Sequence, residues 1–284
     1  MFSMPTPLPI SERRRTFRQL HESGCFAIPN PWDIGSARYL EHLGFKALAT
    51  TSSGAAWSRA QADGQMQLEA VLQHLREMVG ATSLPVNADF EAGFADDAAG
   101  VARNVRLALD TGVAGLSIED STGNPDQPLR DIQEAVERIR AARAAIDEAG
   151  GEALLVGRAE NFFVGRPDLD DSIRRLKAYS DAGADCLYAP GIHTREQITA
   201  VVATVAPKPV NLLIGAASDW TLGDVAAMGV RRISVGGALA RAAWGGFLRA
   251  ARGLVDGRFD GFGGATPGPE LNKFFGSLAG ERRP

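Results

Sequence analysis

The chain has 284 residues, 45% hydrophobic and 23% charged, with a formal net charge of −4. That length can bury one large core. The mildly acidic balance gives no broad electrostatic case for nucleic acid or an anionic membrane, and no apolar run approaches the roughly 20 residues of a membrane span.

In chain order, the opening MFSMPTPLPISERRR lacks the charged-then-apolar order of a secretory signal. The arginine runs at 13–15, 174–175 and 231–232 are matched by acids and read mostly as helix surface. Cys25 and Cys186 are far apart in strand-like segments and read as buried thiols of a reducing cytoplasm; no Cys/His spacing suggests zinc. Strand-like runs fall at 25–29, 46–50, 84–89, 115–119, 154–158, 185–189, 209–213 and 231–235. Helical patterns fall at 33–43, 67–79, 97–111, 131–149, 168–182, 194–204, 221–227 and 238–255. Eight such alternations argue for parallel β/α units closed into an α/β, (β/α)8 TIM-type barrel as a single domain over 1–284, with an open doubly wound sheet as the competing fold. Gly44, Gly112, Gly183 and Gly229 each precede a strand and recur as helix C-terminal glycines. The tail, 256–284, is a Gly/Pro-rich linker followed by ELNKFFGSL. Phe274, Phe275 and Leu278 make one apolar face there, expected to pack on a neighbouring subunit; covering its own barrel is the alternative.

Barrel active sites lie at the carboxyl ends of the strands. Those ends carry Asn30, Trp32 and Asp33; Thr51, Ser52 and Ser53; Asp89 and Glu91; Glu119 and Asp120; Arg158 and Glu160; Pro190 and His193; Asn211; Gly236 and Gly237. The strand starts are plain by comparison. In LPVNADFEAGF (84–94), Asp89 and Glu91 are two apart, so extended backbone would aim both at one volume. Two such charges need a proton or a cation between them. Asp89, Glu91 and Glu119, with Asp63 from the next loop, are expected to hold Mg2+ or Mn2+, one acid directly and the others through water. Arg158 offers a fork for a substrate carboxylate, and Thr51-Ser52-Ser53-Gly54 offers donors for a carboxylate or a developing enolate oxygen. Arg158, Glu119 and Asp63 are the expected catalytic groups; Trp32, Thr51, Ser52, Ser53, Arg158 and Asn211 are the expected substrate contacts. A metal facing an α-keto or α-hydroxy acid suits formation of a pyruvate-type enolate.

From Ile28 to Leu254 the chain resembles the isocitrate lyase/phosphoenolpyruvate mutase superfamily. The resemblance rests on PNPWDIGSARYLEHLGFKALATTSSG, on NADFEAGF where the family has Asp-x-Asp-x-Gly-Tyr, on SIEDSTG and on GRAENF. It implies that Asp89 ligates Mg2+ directly and that Asp63, Glu91 and Glu119 do so through water. It implies that Arg158 and Thr51–Ser53 bind the substrate's carboxylate and oxygens. It also implies a (β/α)8 barrel whose last helix swaps between subunits of a dimer-of-dimers homotetramer.

The departures narrow the chemistry. Glu91 replaces the usual Asp. The isocitrate and methylisocitrate lyases carry a Lys-Lys/Arg-Cys-Gly-His loop; here STGNPDQPL (121–129) has no Lys, Cys or His, which argues against both activities. The mutase's gating loop is not evident, although Asn124 is present, and Pro190 replaces its histidine. What remains is Mg2+-dependent cleavage of a C–C bond in a small 2-oxo or 2-hydroxy dicarboxylic acid. The alternatives are P–C bond chemistry of the phosphonopyruvate hydrolase or mutase type, or a non-catalytic dicarboxylate-binding barrel. A Schiff-base aldolase fails by inventory, because Lys46 and Lys208 stand at strand starts and Lys177 and Lys273 in helices. His193 beside the Thr194/Gln197 capping pair reads as a pre-cap residue, His21, His42 and His74 as helix surface, Gly236-Gly237 as a tight turn or a phosphate site, and Tyr188 as a proton donor or a plain strand residue.

Overall fold

A computed structural model describes residues 8–279. Eight parallel strands form one sheet in the order β1-β8-β7-β6-β5-β4-β3-β2. They are β1 (Phe26–Ile28), β2 (Leu48–Ala49), β3 (Val86–Asp89), β4 (Gly115–Glu119), β5 (Leu154–Arg158), β6 (Cys186–Tyr188), β7 (Val210–Leu213) and β8 (Arg232–Ser234). The order is that of a (β/α)8 barrel. β1 and β2 form no ladder, and the ring is completed there by the Ala49 N–H donating to the Pro29 carbonyl (3.1 Å). Asn30 reinforces this seam, donating from Nδ2 to the Thr50 carbonyl and accepting at Oδ1 from the Val235 and Gly236 N–H groups, all at 2.9 Å.

The helices are α1 (Ile10–Glu22), α2 (Ile34–His42), α3 (Ser52–Ser58), α4 (Leu68–Ala81), α5 (Ala98–Asp110), α6 (Ile132–Glu148), α7 (Leu169–Asp181), α8 (Arg195–Val205), α9 (Leu222–Ala227), α10 (Ala238–Val255) and α11 (Gly268–Ala279). Their limits follow local chemistry. Asp33 caps α2 and Thr194 caps α8, each in a reciprocal box with the residue three positions on. Gly44, Gly112, Gly183 and Gly229 end the preceding helices with φ of 87°, 90°, 105° and 86°, the left-handed values that favour glycine.

Strand alternation divides the core. Val86, Ala88, Leu116 and Ile118 face the surrounding helices, whereas Asn87, Asp89 and Ser117 face the barrel's cavity. α1 closes the opposite end. Phe17 is fully buried among Ala114, Leu154, Val156 and Cys186, with the His21 ring 4.6 Å from its own. Arg14 donates to the Leu109 and Val113 carbonyls, and Arg18 to those of Gly151, Glu152 and Ala153.

This corrects the surface reading of the arginine runs, because each contributes one buried guanidinium: Arg13, Arg175 and Arg232. It also corrects two histidines, since His21 and His74 are buried. A polar sequence reads as solvated, yet a guanidinium can be buried when carbonyls or acids receive its N–H groups. No described helix is long and apolar enough to cross a membrane. α10 carries the exposed rings of Trp244 and Phe247, stacked edge to face. After it, α11 returns toward α2 of the same chain, with the Phe274 ring 5.0 Å from those of Tyr39 and His42.

Candidate active site

A cavity of about 530 Å³ opens at the carboxyl ends of the strands. Asp63, Thr51, Ser52, Ser53, Asp89, Arg158 and Asn211 border it, as does Trp57. Trp32 is not on its lining. A Cβ built on Gly54 would stand 2.9 Å from Trp32 Cβ, so Trp32 supports the turn from behind and Trp57 takes the wall.

Arg158 is the hub. Its side chain is 12% exposed, and its Nη1 lies 3.2 Å from Asp89 Oδ1 and 3.1 Å from Glu119 Oε2, while its Nε donates to Glu160 Oε1. The guanidinium carbon stands 5.1 Å from the centre of the Tyr188 ring. Burial works against the charge, but Glu119 and Glu160 hold the Arg158 pKa well above its ordinary range. Asp120 braces this arrangement. Fully buried, it accepts from the Glu160 N–H (2.8 Å), Arg175 Nη1 (3.0 Å) and the Tyr179 hydroxyl (2.6 Å), which ties the end of β5 to α7.

The segment after β2 departs from a simple turn. Thr51 caps the short helix α3, and its hydroxyl lies 3.1 Å from that of Ser53. The Ser52 N–H donates to Asp89 Oδ2 (3.0 Å), and its hydroxyl holds Asp63. Glu91 departs from strand alternation as well. Its φ is +45°, so the chain reverses after Asp89 and reaches the acidic cluster by a left-handed turn.

The cluster holds Asp63, Asp89, Glu91, Glu119 and Glu160 around one cation. Burial, and then the charges of Asp89 and Asp63, push Glu91 up to about 8. Burial likewise raises Asp63, and it raises Glu119 despite the opposing pull of Arg158. Among the described residues no three His, Cys, Asp or Glu side chains converge as a ready metal cage. The donor set nevertheless fits a hard divalent cation, because it is all carboxylate oxygen and carries surplus negative charge. Mg2+ takes few direct protein ligands and keeps its waters, so it needs no closed cage.

His193 borders the cavity, with Nδ1 3.0 Å from the Gly191 carbonyl, and its N–H donates to Gln197 within the α8 cap. The Gly236 N–H is taken by Asn30, which favours the tight-turn reading there. Sequence reasoning passed over Asn87, Ser117, Phe163 and Arg241 and read Arg232 as surface, yet all five are on the cavity wall. The signal for three of them was present: Asn87, Ser117 and Arg232 each stand two residues before a strand-end residue, on the same inward face.

The family model described as phosphoenolpyruvate phosphomutase matches residues 17–255. A solved structure from Burkholderia cenocepacia J2315, provisionally named a lyase/mutase, is 48% identical, with 94% of this chain and 97% of that one covered and a TM-score of 0.91. A solved 2,3-dimethylmalate lyase is 28% identical, with 97% of each chain covered and a TM-score of 0.81. An oxaloacetate decarboxylase of Paraburkholderia xenovorans is 29% identical over 79% of this chain and 75% of its own length.

Proposed function

Because the chain belongs to the isocitrate lyase/phosphoenolpyruvate mutase superfamily, we propose that it is a lyase or decarboxylase. It cleaves a C–C bond of a small 2-oxo or 2-hydroxy dicarboxylic acid: a 2-oxo diacid loses CO2 to leave a pyruvate-like enolate, and a 2-hydroxy diacid gives up its hydroxyl proton to leave a 2-oxo acid, with the electron pair on the departing carboxylic acid as its enolate. The observation that carries the reading is the buried Arg158 guanidinium on the cavity wall, with Asp89 and Glu119 on one of its nitrogens. Oxaloacetate and 2,3-dimethylmalate, named for the relatives, have the chemistry such a site would take.

Asp89 is the residue to hold Mg2+ or Mn2+ directly, with Asp63, Glu91 and Glu119 acting through water. The bound cation supplies Lewis-acid polarisation of the substrate oxygen. Arg158 orients the carboxylate beside the bond that breaks. Ser52 already donates to Asp89 and Asp63, so the Thr51 and Ser53 hydroxyls and the remaining N–H groups of the segment stabilise the oxygen on which charge develops, because donors fixed in advance need no reorganisation. Glu119 and Asp63, whose carboxyls burial shifts upward, are the groups assigned to deliver the proton that the carbanionic carbon takes up. Asn211 lines the pocket for the remainder of the substrate, and Trp32 holds the Thr51–Gly54 turn in place.

The protein also assembles in this reading. The exposed face of α10 packs on a neighbouring subunit, and α11, which here rests on α2 of its own chain, takes the same seat on the neighbour, giving helix-swapped dimers that pair into a homotetramer. Trp244, Phe247 and Leu248, exposed on α10, support this.

Pyruvate release tests the chemistry. The protein is offered oxaloacetate, 2-methylmalate, 2,3-dimethylmalate and phosphonopyruvate, each with Mg2+, with EDTA and with Asp89→Ala. Pyruvate from a dicarboxylate that disappears in both controls is expected. Phosphate and pyruvate from phosphonopyruvate alone would replace this reading with P–C chemistry.

A further inference from the structure

Four consecutive strands place one residue each in a single row inside the barrel. Arg158 on β5 is in register with Tyr188 on β6, Tyr188 with Asn211 on β7, and Asn211 with Arg232 on β8. Barrel strands tilt against the axis, so such a row descends from the rim into the interior. It begins and ends on a guanidinium, and the two have opposite company.

Arg158 meets three carboxylates. Among the described residues Arg232, 3% exposed, has only neutral partners. Its Nε donates to Asn211 Oδ1 at 2.8 Å, and its Nη1 stands 3.5 Å from both Asn87 Oδ1 and His21 Nε2. His21 brings no charge. Its Nδ1 lies 2.7 Å from the Phe17 carbonyl, which places the ring proton there and turns the Nε2 lone pair toward Arg232. Among the described residues no acceptor is recorded on Arg232 Nη2.

A buried cation without an anion is costly, and protein structures usually pair it. Arg232 and Asn87 border the same cavity as Arg158, so a ligand in that cavity can reach both guanidiniums. A planar guanidinium fork matches a carboxylate in shape and charge.

We propose that Arg232, flanked by Asn87 and Asn211, is an anion-binding floor that takes the second carboxylate of the substrate, the one not held at the rim by Arg158. This rests on the dicarboxylate reading above. It makes Arg232 the residue that separates diacids from monoacids. Pyruvate would lean on the rim alone, and a diacid would span both ends of the row.

Thermal-shift titrations of the Mg2+-loaded protein with malonate, acetate and chloride test the floor without requiring turnover. Malonate is expected to stabilise the wild type more than acetate does. Arg232→Met is expected to lose the malonate shift while melting, without ligand, at or above the wild-type temperature, because an unpaired buried charge has gone; a purely structural arginine would lower it. On the diacid that releases pyruvate, KM for Arg232→Met should rise about 10- to 100-fold with kcat within about twofold. If Arg232→Met does not fold, Arg232→Lys carries the test: charge without the fork, and a reduced malonate shift.

Equal malonate shifts in wild type and variant overturn the proposal, as does the absence of any shift in the wild type. An Arg232-dependent shift that chloride reproduces, with diacid KM unchanged, overturns the substrate assignment. An Arg232-dependent malonate shift in a protein that releases no pyruvate from any diacid supports the floor and removes the lyase reading instead.

Discussion

Asp89, Glu119 and Glu160 reach Arg158 from the ends of three strands, so the geometry of its fork matters as much as its charge. Arg158→Lys keeps the charge and loses the planar fork. Its kcat/KM is expected to fall about 100-fold, equivalent to about 2.7 kcal/mol, and steady-state kinetics on the best diacid checks this. Glu91 gives a pH signature. Its carboxyl titrates at about 8 in the folded chain against an ordinary 4.5, through burial first and the charges of Asp89 and Asp63 next. The folded state therefore binds that proton more tightly than the unfolded state does. The associated stability is present below pH about 4.5 and lost as pH rises through about 8. In EDTA, wild type should lose stability relative to Glu91→Gln across that interval, and added Mg2+ should reverse the loss; urea unfolding at several pH values measures both. Asp63 enters from the loop after α3, and the other acids of this site were legible because they stand at or just past strand ends. Arg232 and Asn87 were not, because attention to strand ends ignores the polar residue two positions earlier that shares the same face.

At the scale of elements, the segment after β2 depends on one close approach. A Cβ on Gly54 would stand 2.7 Å from Thr51 Cγ2 and 2.9 Å from Trp32 Cβ. Gly54→Ala must therefore push α3 away from its cap. The expected cost is about 1–3 kcal/mol in urea unfolding, with a loss of kcat/KM, since Ser52 and Ser53 move with the helix. The eight strands and the helices between them were readable from periodicity and from the glycines that end the helices. α1 and α3 were not. Phe17 is the large apolar anchor of an otherwise arginine-rich α1, whose guanidiniums end on carbonyls distant in sequence. α3 is seven residues long and begins with a Thr-Ser-Ser-Gly run that locally reads as a turn. In both cases the deciding partner lies on another element, beyond any local pattern.

At the scale of the whole molecule, α10 leaves Phe247 59% exposed and Val255 88% exposed, side chains that a closed assembly would cover. Under the proposed assembly, Phe247→Glu is expected to shift the protein toward smaller species in light scattering behind size exclusion, without loss of helix content by circular dichroism. The β1–β2 junction has a different consequence. Among the described residues, the β1–β2 junction is held by one backbone bond and the Asn30 side chain where the other strands meet in ladders, so it is the weakest join of the hoop, and Thr51–Ser53 stand beside it. A ligand gripping those residues on one side and Arg158 on the other acts as a clasp. The least-bonded join of the hoop would then be braced from within for as long as the ligand stays bound.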